Sequence, residues 1–430
     1  MTLLTPEWYK LNYHPTQSAL WRSKTPRQVV LAGRGSGKTT ICRRKVVAHL
    51  GVKKPWADPM YFYALPTRDQ AKRVAWEPLK RLVPHNWVSD VYESDLIIRT
   101  KFGSELHLLG MDKPHRAEGV QWDGGCIDER GDHKPKVISL NLGPAMTHRN
   151  TWLIELGVPK RTGPGQPEFT EAFHKGQDKA NLDYEAFWWP SKDILPASII
   201  EERKDSLDEV DFREQYEASI ETIGGSIFHA FDEKENVTTA YEHNPDKPII
   251  VGSDFNVDPM SWCLSHIHDG KFCTFDQIWK RNTNTQATMD NLWHRYGDKH
   301  KGSWIFIGDA TGRARKSSAE LTDYLIIQND ERFKPKRVLY PKGNPSRLDR
   351  FAACNRMLKS AAGVCRAFIH PRCEALISDL KHRAYKEGTR DVDDTGDLGH
   401  MSDAWGYPIA LLFPIQYGLS STPEVSHENL

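Results

Sequence analysis

Cysteine is scarce in this sequence, and its pattern excludes a disulfide framework. The chain has 7 cysteines in 430 residues, scattered, odd in number and without any C-x-x-C pair. Disulfide-rich secreted domains instead show paired cysteines at short spacings. Cysteine usage therefore favours a reducing compartment. The stretch MTLLTPEWYKLNYHP has no basic segment followed by an apolar run, so we expect no secretion signal.

Long apolar runs and an excess of one charge are also missing. No uninterrupted apolar stretch is long enough to span a bilayer, so we expect no membrane partner. The formal net charge is only +1, which argues against a uniformly basic nucleic-acid binder. Charge is nevertheless segregated, since residues 1–50 hold nine Lys and Arg against one acid and residues 311–350 hold ten bases against five acids. Such segregation can place positive surface against a phosphate backbone.

A phosphate-binding loop is predicted at residues 29–40, VVLAGRGSGKTT. A short apolar run ends in a glycine-dense turn, and apolar residues then recur at three- and four-residue spacing, which predicts a strand, a loop and a helix. Glycines there can adopt backbone angles closed to other residues, so successive N–H groups can surround phosphate oxygens at a helix N-terminus. The pattern departs from G-x-x-x-x-G-K-[ST] at Ala32, which replaces the first glycine.

The residues of this loop have predicted roles toward ATP and Mg²⁺. Lys38 is expected to neutralise the β- and γ-phosphates, and the Thr39 hydroxyl to bind Mg²⁺. Gln17, shortly before the first strand, is a candidate reader of the adenine edge, and a structural role in a Pro-containing turn is the alternative. The predicted nucleotide-binding residues are Gln17, Gly33, Arg34, Gly35, Ser36, Gly37, Lys38, Thr39, Thr40 and Asp128.

The stretch GGCIDE, residues 124–129, supplies the second part of an ATPase site. An apolar pair ends in two acids, and a strand can in this way present one carboxylate to Mg²⁺ and the next to an attacking water. Asp128 is predicted to hold the metal with Thr39, and Glu129 to position or deprotonate the water. An Asp-Glu pair is common on surfaces, so this prediction depends on the phosphate loop upstream.

Three separated aspartates mark the second half of the chain. Asp254 follows the apolar run of PIIVGSDFN, Asp309 follows that of SWIFIGDATG, and Asp403 lies near the start of a helical pattern in GHMSDAWGYPIALLF. Any one of them alone is more often a turn residue. Converging at one end of a sheet, they could hold two divalent ions, Mg²⁺ or Mn²⁺, about 4 Å apart, which activate water and stabilise the leaving oxygen of a phosphodiester.

The segments AGRGSGKT, ALPTRDQAKRV and GMDKPHRAEGVQWDGGCIDE resemble the ATPase domain of the large terminase subunit of tailed bacteriophages. GSDF, GDATG and HMSDAWGY resemble the ribonuclease-H-like nuclease domain of the same family. The resemblance implies an α/β protein, a P-loop ATPase domain with a mostly parallel sheet followed by a ribonuclease-H-like α/β nuclease domain. The expected boundaries are 1–221 for the ATPase domain with a small lid from about 161, 222–247 for a linker, 248–418 for the nuclease domain and 419–430 for a flexible tail.

The resemblance also implies roles for single residues. The family has an arginine that acts on a neighbouring subunit's nucleotide, and Arg116 matches its position, with Arg34 as the rival. Residues 152–159, WLIELGVP, resemble the coupling motif of the family, although Val158 stands where Ser or Thr is usual. The predicted catalytic residues are Lys38, Arg116, Glu129, Asp254, Asp309 and Asp403, of which the last three are also the nuclease metal ligands.

Weaker candidates surround the nuclease residues. Asp276 lies where many relatives have a further Glu, and Asp397 is a candidate for the outer shell of the metals. Basic residues between Asp309 and Asp403 are candidate phosphate contacts if they face the active cleft, and solvated surface if they do not. They are Arg313, Arg315, Lys316, Lys342, Arg347 and Arg350.

The resemblance implies an ATP-driven translocase of double-stranded DNA joined to a metal-dependent endonuclease. The implied partners are double-stranded DNA, a portal protein and its procapsid, a small terminase subunit and further copies of this chain, commonly five in a ring. The implied location is the host cytoplasm, with transient docking on the procapsid. Two alternatives stay open: a helicase-nuclease of DNA repair, which predicts strand separation, and an ATP-regulated DNA-binding scaffold whose nuclease half is inert.

Overall fold

A computed structural model describes residues 14–149, 151–221, 225–256, 258–313, 321–339, 343–386, 391–393 and 396–415. The chain divides into two compact units, Met1–Ile200 with Arg213–Thr222 and Glu201–Phe212 with Ile223–Leu430. The predicted tail, three residues of the predicted linker (222–224) and three basic candidates lie outside the described residues; those candidates are Arg315, Lys316 and Lys342. Within the described part of the chain, no helix has the length and apolarity needed to cross a membrane.

The first unit is built on an eight-stranded sheet. Its strands are β1 (Arg27–Ala32), β2 (Met60–Leu65), β3 (Val88–Tyr92), β4 (Ile97–Thr100), β5 (Glu105–Gly110), β6 (Gly124–Ile127), β7 (Trp152–Gly157) and β8 (Tyr184–Trp189). Their order is β3-β4-β5-β2-β6-β7-β1-β8. In this order, every neighbouring pair of strands between β5 and β8 is parallel, and β3 and β4 add an antiparallel edge. The mostly parallel sheet predicted for this half is confirmed.

Helices cover this sheet because its central strands are apolar on both faces. The helices before β8 are α1 (Pro15–Arg22), α2 (Lys38–Leu50), α3 (Arg68–Ala71), α4 (Glu77–Leu82), α5 (Gly143–Ala145) and α6 (Gln166–Gln177), and α7 (Ala197–Ser206) and α8 (Glu209–Glu217) follow β8. A π-helical turn, Lys72–Trp76, joins α3 to α4, and a second, Val137–Leu142, precedes α5. The division between the two units falls within α7 and α8, so the predicted lid and the other domain boundaries stay predictions.

The second unit is built on a six-stranded sheet. Its strands are β9 (Ile249–Asp254), β10 (Met260–His268), β11 (Lys271–Lys280), β12 (Trp304–Gly308), β13 (Lys336–Leu339) and β14 (Ala367–Ile369). The order is β13-β12-β9-β10-β11-β14. β10 is antiparallel to both of its neighbours, β9 and β11, whereas β12 and β13 continue parallel to β9. Three antiparallel strands extended by a parallel pair agree with the ribonuclease-H-like α/β prediction, and the fold class is confirmed.

One close approach positions a functional helix on this second sheet. The helices of the unit are α9 (Glu233–Asn236), α10 (Thr285–Leu292), α11 (Asp323–Asn329), α12 (Arg347–Leu358), α13 (Glu374–His382) and α14 (His400–Leu412). α14 packs against β9 at Gly252, where a Cβ atom would lie 2.2 Å from the carbonyl oxygen of Ala404. Glycine is therefore required there, and the contact brings Asp403 near the end of β9.

Candidate functional site

The glycine-rich loop of the first unit joins β1 to α2. Gly35 and Gly37 have φ angles of +71° and +80°, which residues with a Cβ atom rarely adopt. α2 begins at Lys38 directly after Gly37. The first N–H groups of a helix have no intrahelical acceptor, so they are available to an anion at this end of α2. The backbone thus has the form expected of a phosphate-binding loop.

Contacts from outside the loop hold its backbone. The carbonyl oxygen of Ser36 accepts hydrogen bonds from Gln17 Nε2 at 2.9 Å and from Trp189 Nε1 at 3.1 Å. Ser191 Oγ donates to the carbonyl of Arg34 at 2.7 Å. The buried Gln17 therefore supports the loop, which agrees with the structural alternative, while its adenine contact stays a prediction.

Asp128, directly after β6, receives three donors. Thr39 Oγ1 lies 3.0 Å from Asp128 Oδ2, the Tyr63 hydroxyl lies 2.5 Å from the same oxygen, and the backbone N–H of Glu129 donates to Oδ1 at 2.9 Å. Burial and the neighbouring Glu129 carboxylate raise the pKa of Asp128. A divalent cation would relieve both effects, because it compensates the buried negative charge. The structure thus brings together the two residues predicted to hold Mg²⁺, Thr39 and Asp128.

Glu129 lies among cations. Its backbone adopts a φ of +53°, an uncommon value for a residue with a Cβ atom. Burial alone would raise the pKa of Glu129, but Lys38, Lys160 and Arg34 together lower it, so the carboxylate is charged at neutral pH. Lys160 Nζ is 3.4 Å from Glu129 Oε2. Burial lowers the pKa of Lys38, and the carboxylates of Glu129 and Asp128 oppose that shift.

A buried polar layer lies beneath these carboxylates. Arg130 Nε is 2.9 Å from Glu155 Oε2, and its Nη2 is 2.7 Å from Glu168 Oε2. His133 Nε2 donates to the carbonyl oxygen of Asp128 at 2.8 Å. Burial lowers the pKa of His133 to about 4, so its ring is neutral at pH 7. These contacts fix the chain on both sides of Glu129 and so define the direction of its side chain.

The second unit places Asp254 and Asp309 side by side. Parallel pairing aligns Gly308 with Ser253, so Asp309 follows β12 opposite Asp254, the last residue of β9. Neighbouring strands are about 4.8 Å apart. Burial, together with the charge of Asp254, raises the pKa of Asp309. Asp309 Oδ1 is buried and has no hydrogen-bond partner among the described residues, which fits the chemistry of a cation ligand.

Asp403 is engaged differently. Its Oδ1 is 2.7 Å from Arg350 Nη2 and 2.5 Å from Arg383 Nη1, and both arginine side chains are almost fully buried. The charges of all three aspartates act on the buried Tyr407 hydroxyl and contribute to its raised pKa, after burial as the main cause. All three carboxylates thus lie close enough to Tyr407 to act on it, but that of Asp403 is neutralised by two guanidinium groups.

These residues fit one divalent ion better than two. Within the described ranges, no cluster of three or more His, Cys, Asp or Glu side chains is arranged to hold a metal ion. Asp254 and Asp309 are adjacent, and Asp309 carries the unpartnered oxygen. A second ion that uses Asp403 would first require its carboxylate to separate from Arg350 and Arg383.

Comparisons with known proteins agree with these observations. No protein-family model matches the chain. Large terminase subunits of Thermus virus P23-45 and Thermus phage G20c are each 23% identical to it over 286 and 284 residues. Each match covers 56% of this chain and 57% of the relative, so it spans little more than half the length of either.

Solved structures extend the likeness to nearly the whole chain. The large terminase of a thermophilic bacteriophage matches with a TM-score of 0.60 over 94% of this chain and 99% of its own, at 15% identity. A structure of that terminase in complex with ADP matches with a TM-score of 0.58 over 94% and 100%, at 14% identity. This chain resembles the large terminase subunits. The likeness to the solved structures is one of fold.

Arg116, the residue taken from the terminase resemblance as a trans-acting arginine, lies apart from the phosphate loop of its own chain. It is exposed in the turn Pro114–Ala117 after β5, and three strands separate β5 from β1. Together with Arg68 and Lys113 it lines a cavity of about 480 Å³. Arg34 Nη1 instead donates to Gln215 Oε1 at 3.0 Å. The choice between Arg116 and Arg34 therefore stays open. Thr40, the last of the predicted nucleotide-binding residues in the loop segment, is exposed on the first turn of α2.

Three weaker nuclease candidates are engaged elsewhere. Asp276 Oδ2 lies 2.9 Å from Arg295 Nη1 and 2.7 Å from the Tyr296 hydroxyl. The strand register sets Trp279 of β11 level with Asp254 of β9, so Asp276 lies three residues away from that level along β11. Asp397 pairs with Arg281. The prediction of Arg350 as a phosphate contact is wrong, because its side chain is buried and pairs with Asp403. Arg313 and Arg347 are exposed.

The sequence did not identify Lys160, Tyr63 or the paired arginines of this terminase-like chain. Lys160 directly follows residues 152–159, which resemble the coupling motif, and a single lysine after such a stretch carries no sequence signal of its own. Tyr63 lies inside an apolar strand, so its sequence position predicts only a core residue. Glu155, an acid within the apolar run of β7, was the one available signal of a buried ion pair.

Proposed function

We propose that this chain is the large subunit of a phage terminase, an ATPase that drives double-stranded DNA into a procapsid and a nuclease that cuts concatemeric DNA. One observation carries the proposal. The contact between Thr39 and Asp128 sets Glu129 beside Lys38 at the end of a glycine-rich loop. Such an arrangement is suited to hydrolysis of a nucleoside triphosphate, and the fold is shared with a terminase solved with ADP.

In the ATPase half the chain supplies positions and charges. The loop N–H groups and Lys38 bind the phosphates, and Thr39 with Asp128 would hold Mg²⁺, whose positive charge neutralises the triphosphate when bound. Glu129, ionised and directed by its fixed backbone, accepts a proton from the attacking water. The Tyr63 hydroxyl donates to the same Asp128 oxygen as Thr39 and so helps to orient the carboxylate.

In the nuclease half, Asp254 and Asp309 would hold a divalent ion, Mg²⁺ or Mn²⁺, which lowers the pKa of a bound water and so supplies the nucleophile. Asp403 adds a third carboxylate for a second ion once it leaves its two arginines. Exposed Arg313 and Arg347 would contact the phosphate backbone of DNA. The chain thereby combines hydrolysis of a nucleotide with hydrolysis of a phosphodiester.

Packaging requires partners that a single subunit lacks. We include in the proposal a ring of copies of this chain, most simply five, docked on a portal protein of the procapsid in the host cytoplasm. A small terminase subunit would select the site where packaging begins. Arg116, exposed and distant from its own phosphate loop, would act on the nucleotide of the neighbouring subunit in that ring.

The ATPase half is tested by hydrolysis of ATP with Mg²⁺. Lys38→Ala should reduce the rate at least about 100-fold, because a preorganised charge on the phosphates is lost. Lys175→Ala is the matched control, since Lys175 pairs with Glu171 on the surface of α6. Equal activity of wild type and Lys38→Ala would contradict the assignment.

The nuclease half is tested by cleavage of supercoiled plasmid with Mg²⁺ or Mn²⁺. Asp309→Asn should abolish cutting, whereas Asp269→Asn, on an exposed turn between β10 and β11, should not alter it. If the folded wild type fails to cut under either metal, alone and with procapsids and ATP, the inert-scaffold alternative is favoured.

Packaging and strand separation are distinguished directly. With procapsids, portal, small subunit and ATP, DNA should become protected from added nuclease. A forked duplex should remain paired in the presence of ATP. Efficient unwinding without protection would instead support the helicase-nuclease alternative.

A further inference from the structure

Lys160 has an unusual position for a residue without an assigned role. It lies three residues beyond β7, and β7 is the strand between β6, which precedes Asp128, and β1, which precedes the phosphate loop. Its ammonium group is 3.4 Å from Glu129 Oε2 and also pairs with Asp132. Lys160 thus bridges two carboxylates, and one of them belongs to the proposed water-activating residue.

The backbone of Lys160 is anchored while its side chain reaches open space. The Lys160 N–H donates to Gln166 Oε1 at 2.9 Å, and its carbonyl accepts from the N–H of Gly163 at 2.9 Å. The side chain is 34% exposed and that of Glu129 is 30% exposed. An ammonium group on a flexible four-carbon stem can therefore change partners without movement of the main chain.

Charge explains why a third cation is needed here. Asp128 and Glu129 place two carboxylates near Lys38, Asp132 pairs with Lys160, and a γ-phosphate would add further negative charge to this group. Lys38 and the Mg²⁺ ion that Thr39 and Asp128 would hold carry three positive charges together, fewer than the negative charges of three carboxylates and a γ-phosphate. Arg34 is exposed and bonded to Gln215. Lys160 acts electrostatically on both Lys38 and Glu129, so it is close enough to respond to a phosphate between them.

We propose that Lys160 is the residue by which this chain distinguishes ATP from ADP. Without a γ-phosphate, the ammonium group pairs with Glu129 and Asp132 and holds the Glu129 carboxylate away from water. A γ-phosphate attracts the ammonium group, and Glu129 is released to accept the proton of the attacking water. This inference rests on the proposed ATPase function of the first unit.

Equilibrium binding of ADP and of ATP-γ-S, each with Mg²⁺, tests the inference. Lys160→Met keeps an unbranched apolar stem and removes the charged ammonium group. We expect its affinity for ATP-γ-S to fall about 10-fold while its affinity for ADP stays within about twofold of wild type. Lys160→Arg should restore most of the preference. Lys175→Met, a change of the same kind on the surface of α6, should behave as wild type.

The outcomes separate this inference from the function on which it rests. A lysine that only stabilises the fold would lower the melting temperature and affect both nucleotides equally, which would overturn the inference. Binding of both nucleotides by Lys160→Met with the wild-type preference would also overturn it and leave the ATPase proposal intact. If the folded wild type binds neither nucleotide, the ATPase proposal and the inference fail together.

Discussion

The two carboxylate sites of this chain hold their aspartates in opposite ways. In the first unit, Asp128 accepts hydrogen bonds from two neutral hydroxyls, those of Thr39 and Tyr63. In the second unit, Asp403 is paired with two buried guanidinium groups, those of Arg350 and Arg383. A hydroxyl orients a carboxylate and leaves its charge available, whereas a guanidinium neutralises it. The first site is therefore ready for a cation, and the second is partly closed by cations of the chain itself.

The largest effect is expected on ATP hydrolysis, from a substitution of Glu129 in the first site. Glu129→Gln removes the base but keeps the size of the side chain, so ATP hydrolysis should fall about 10²- to 10⁴-fold. Binding of ADP should persist, because the loop and Lys38 are unchanged. Single-turnover hydrolysis and nucleotide titration measure the two quantities. Undiminished hydrolysis by Glu129→Gln would mean that the first site is not organised around this carboxylate.

The next effect concerns stability and compares two aspartates of the second unit. Asp403→Asn leaves two buried guanidinium groups without their counter-charge and should cost about 3–5 kcal/mol. Asp309→Asn instead removes repulsion from Asp254 and should leave stability unchanged or improve it. Hydrogen exchange of peptides from α12, α13 and α14 reports this unit alone. Similar exchange in the two variants would show that the arginine pairs do not hold Asp403.

Acid provides a third comparison, because each unit contains a buried neutral histidine. His266 Nδ1 donates to the carbonyl of Pro248 at 2.7 Å, and its Nε2 accepts from the N–H of Asn244 at 3.0 Å. The proton that charges the ring must therefore be added at Nε2, where it breaks the contact with Asn244. Burial lowers the pKa of His266 to about 4, and the nearby His243, His300 and Lys247 act in the same direction.

The sign of this effect is fixed by the lowered pKa. Between pH 6.5 and 4 the unfolded chain binds a proton at His266 and the folded chain does not, so the second unit should lose stability as pH falls, by about 3 kcal/mol over the whole window. His266→Asn should flatten this dependence in hydrogen exchange of β10. An equally steep pH dependence in the variant would place the acid sensitivity elsewhere.

Local chemistry explains what the sequence could predict. Glycines in the phosphate loop act through their own backbone angles, so residues 33–37 were recognisable without tertiary information. Asp254 and Asp309 could be placed together because parallel strands end at the same edge of a sheet. The predicted roles of Asp128 and Glu129 came from their position after an apolar strand, and the structure brings both residues to the loop.

Partners distant in sequence explain what the sequence could not predict. Arg350 lies 53 positions from Asp403, and within a basic stretch it was indistinguishable from a phosphate contact. Lys160 contacts Glu129 across two strands that are neighbours only in the folded sheet. Spacing along the chain carries no record of such pairs, because they depend on the order of strands and on how closely α14 approaches β9.

The smallest effect on stability tests whether a neutral donor to a buried carboxylate contributes less than a charged donor. Tyr63→Phe deletes one buried hydroxyl from Asp128, which keeps Thr39 as a second donor to the same oxygen. The loss should be about 1–2 kcal/mol, below that for Asp403→Asn. Tyr61 is the matched control on the same strand, since its hydroxyl is equally buried but has no hydrogen-bond partner among the described residues. Tyr61→Phe should therefore cost nothing in hydrogen exchange of β2 and β6. If Tyr63→Phe is as harmful as Asp403→Asn, neutral and charged donors stabilise these buried carboxylates equally, and the contrast between the two sites disappears.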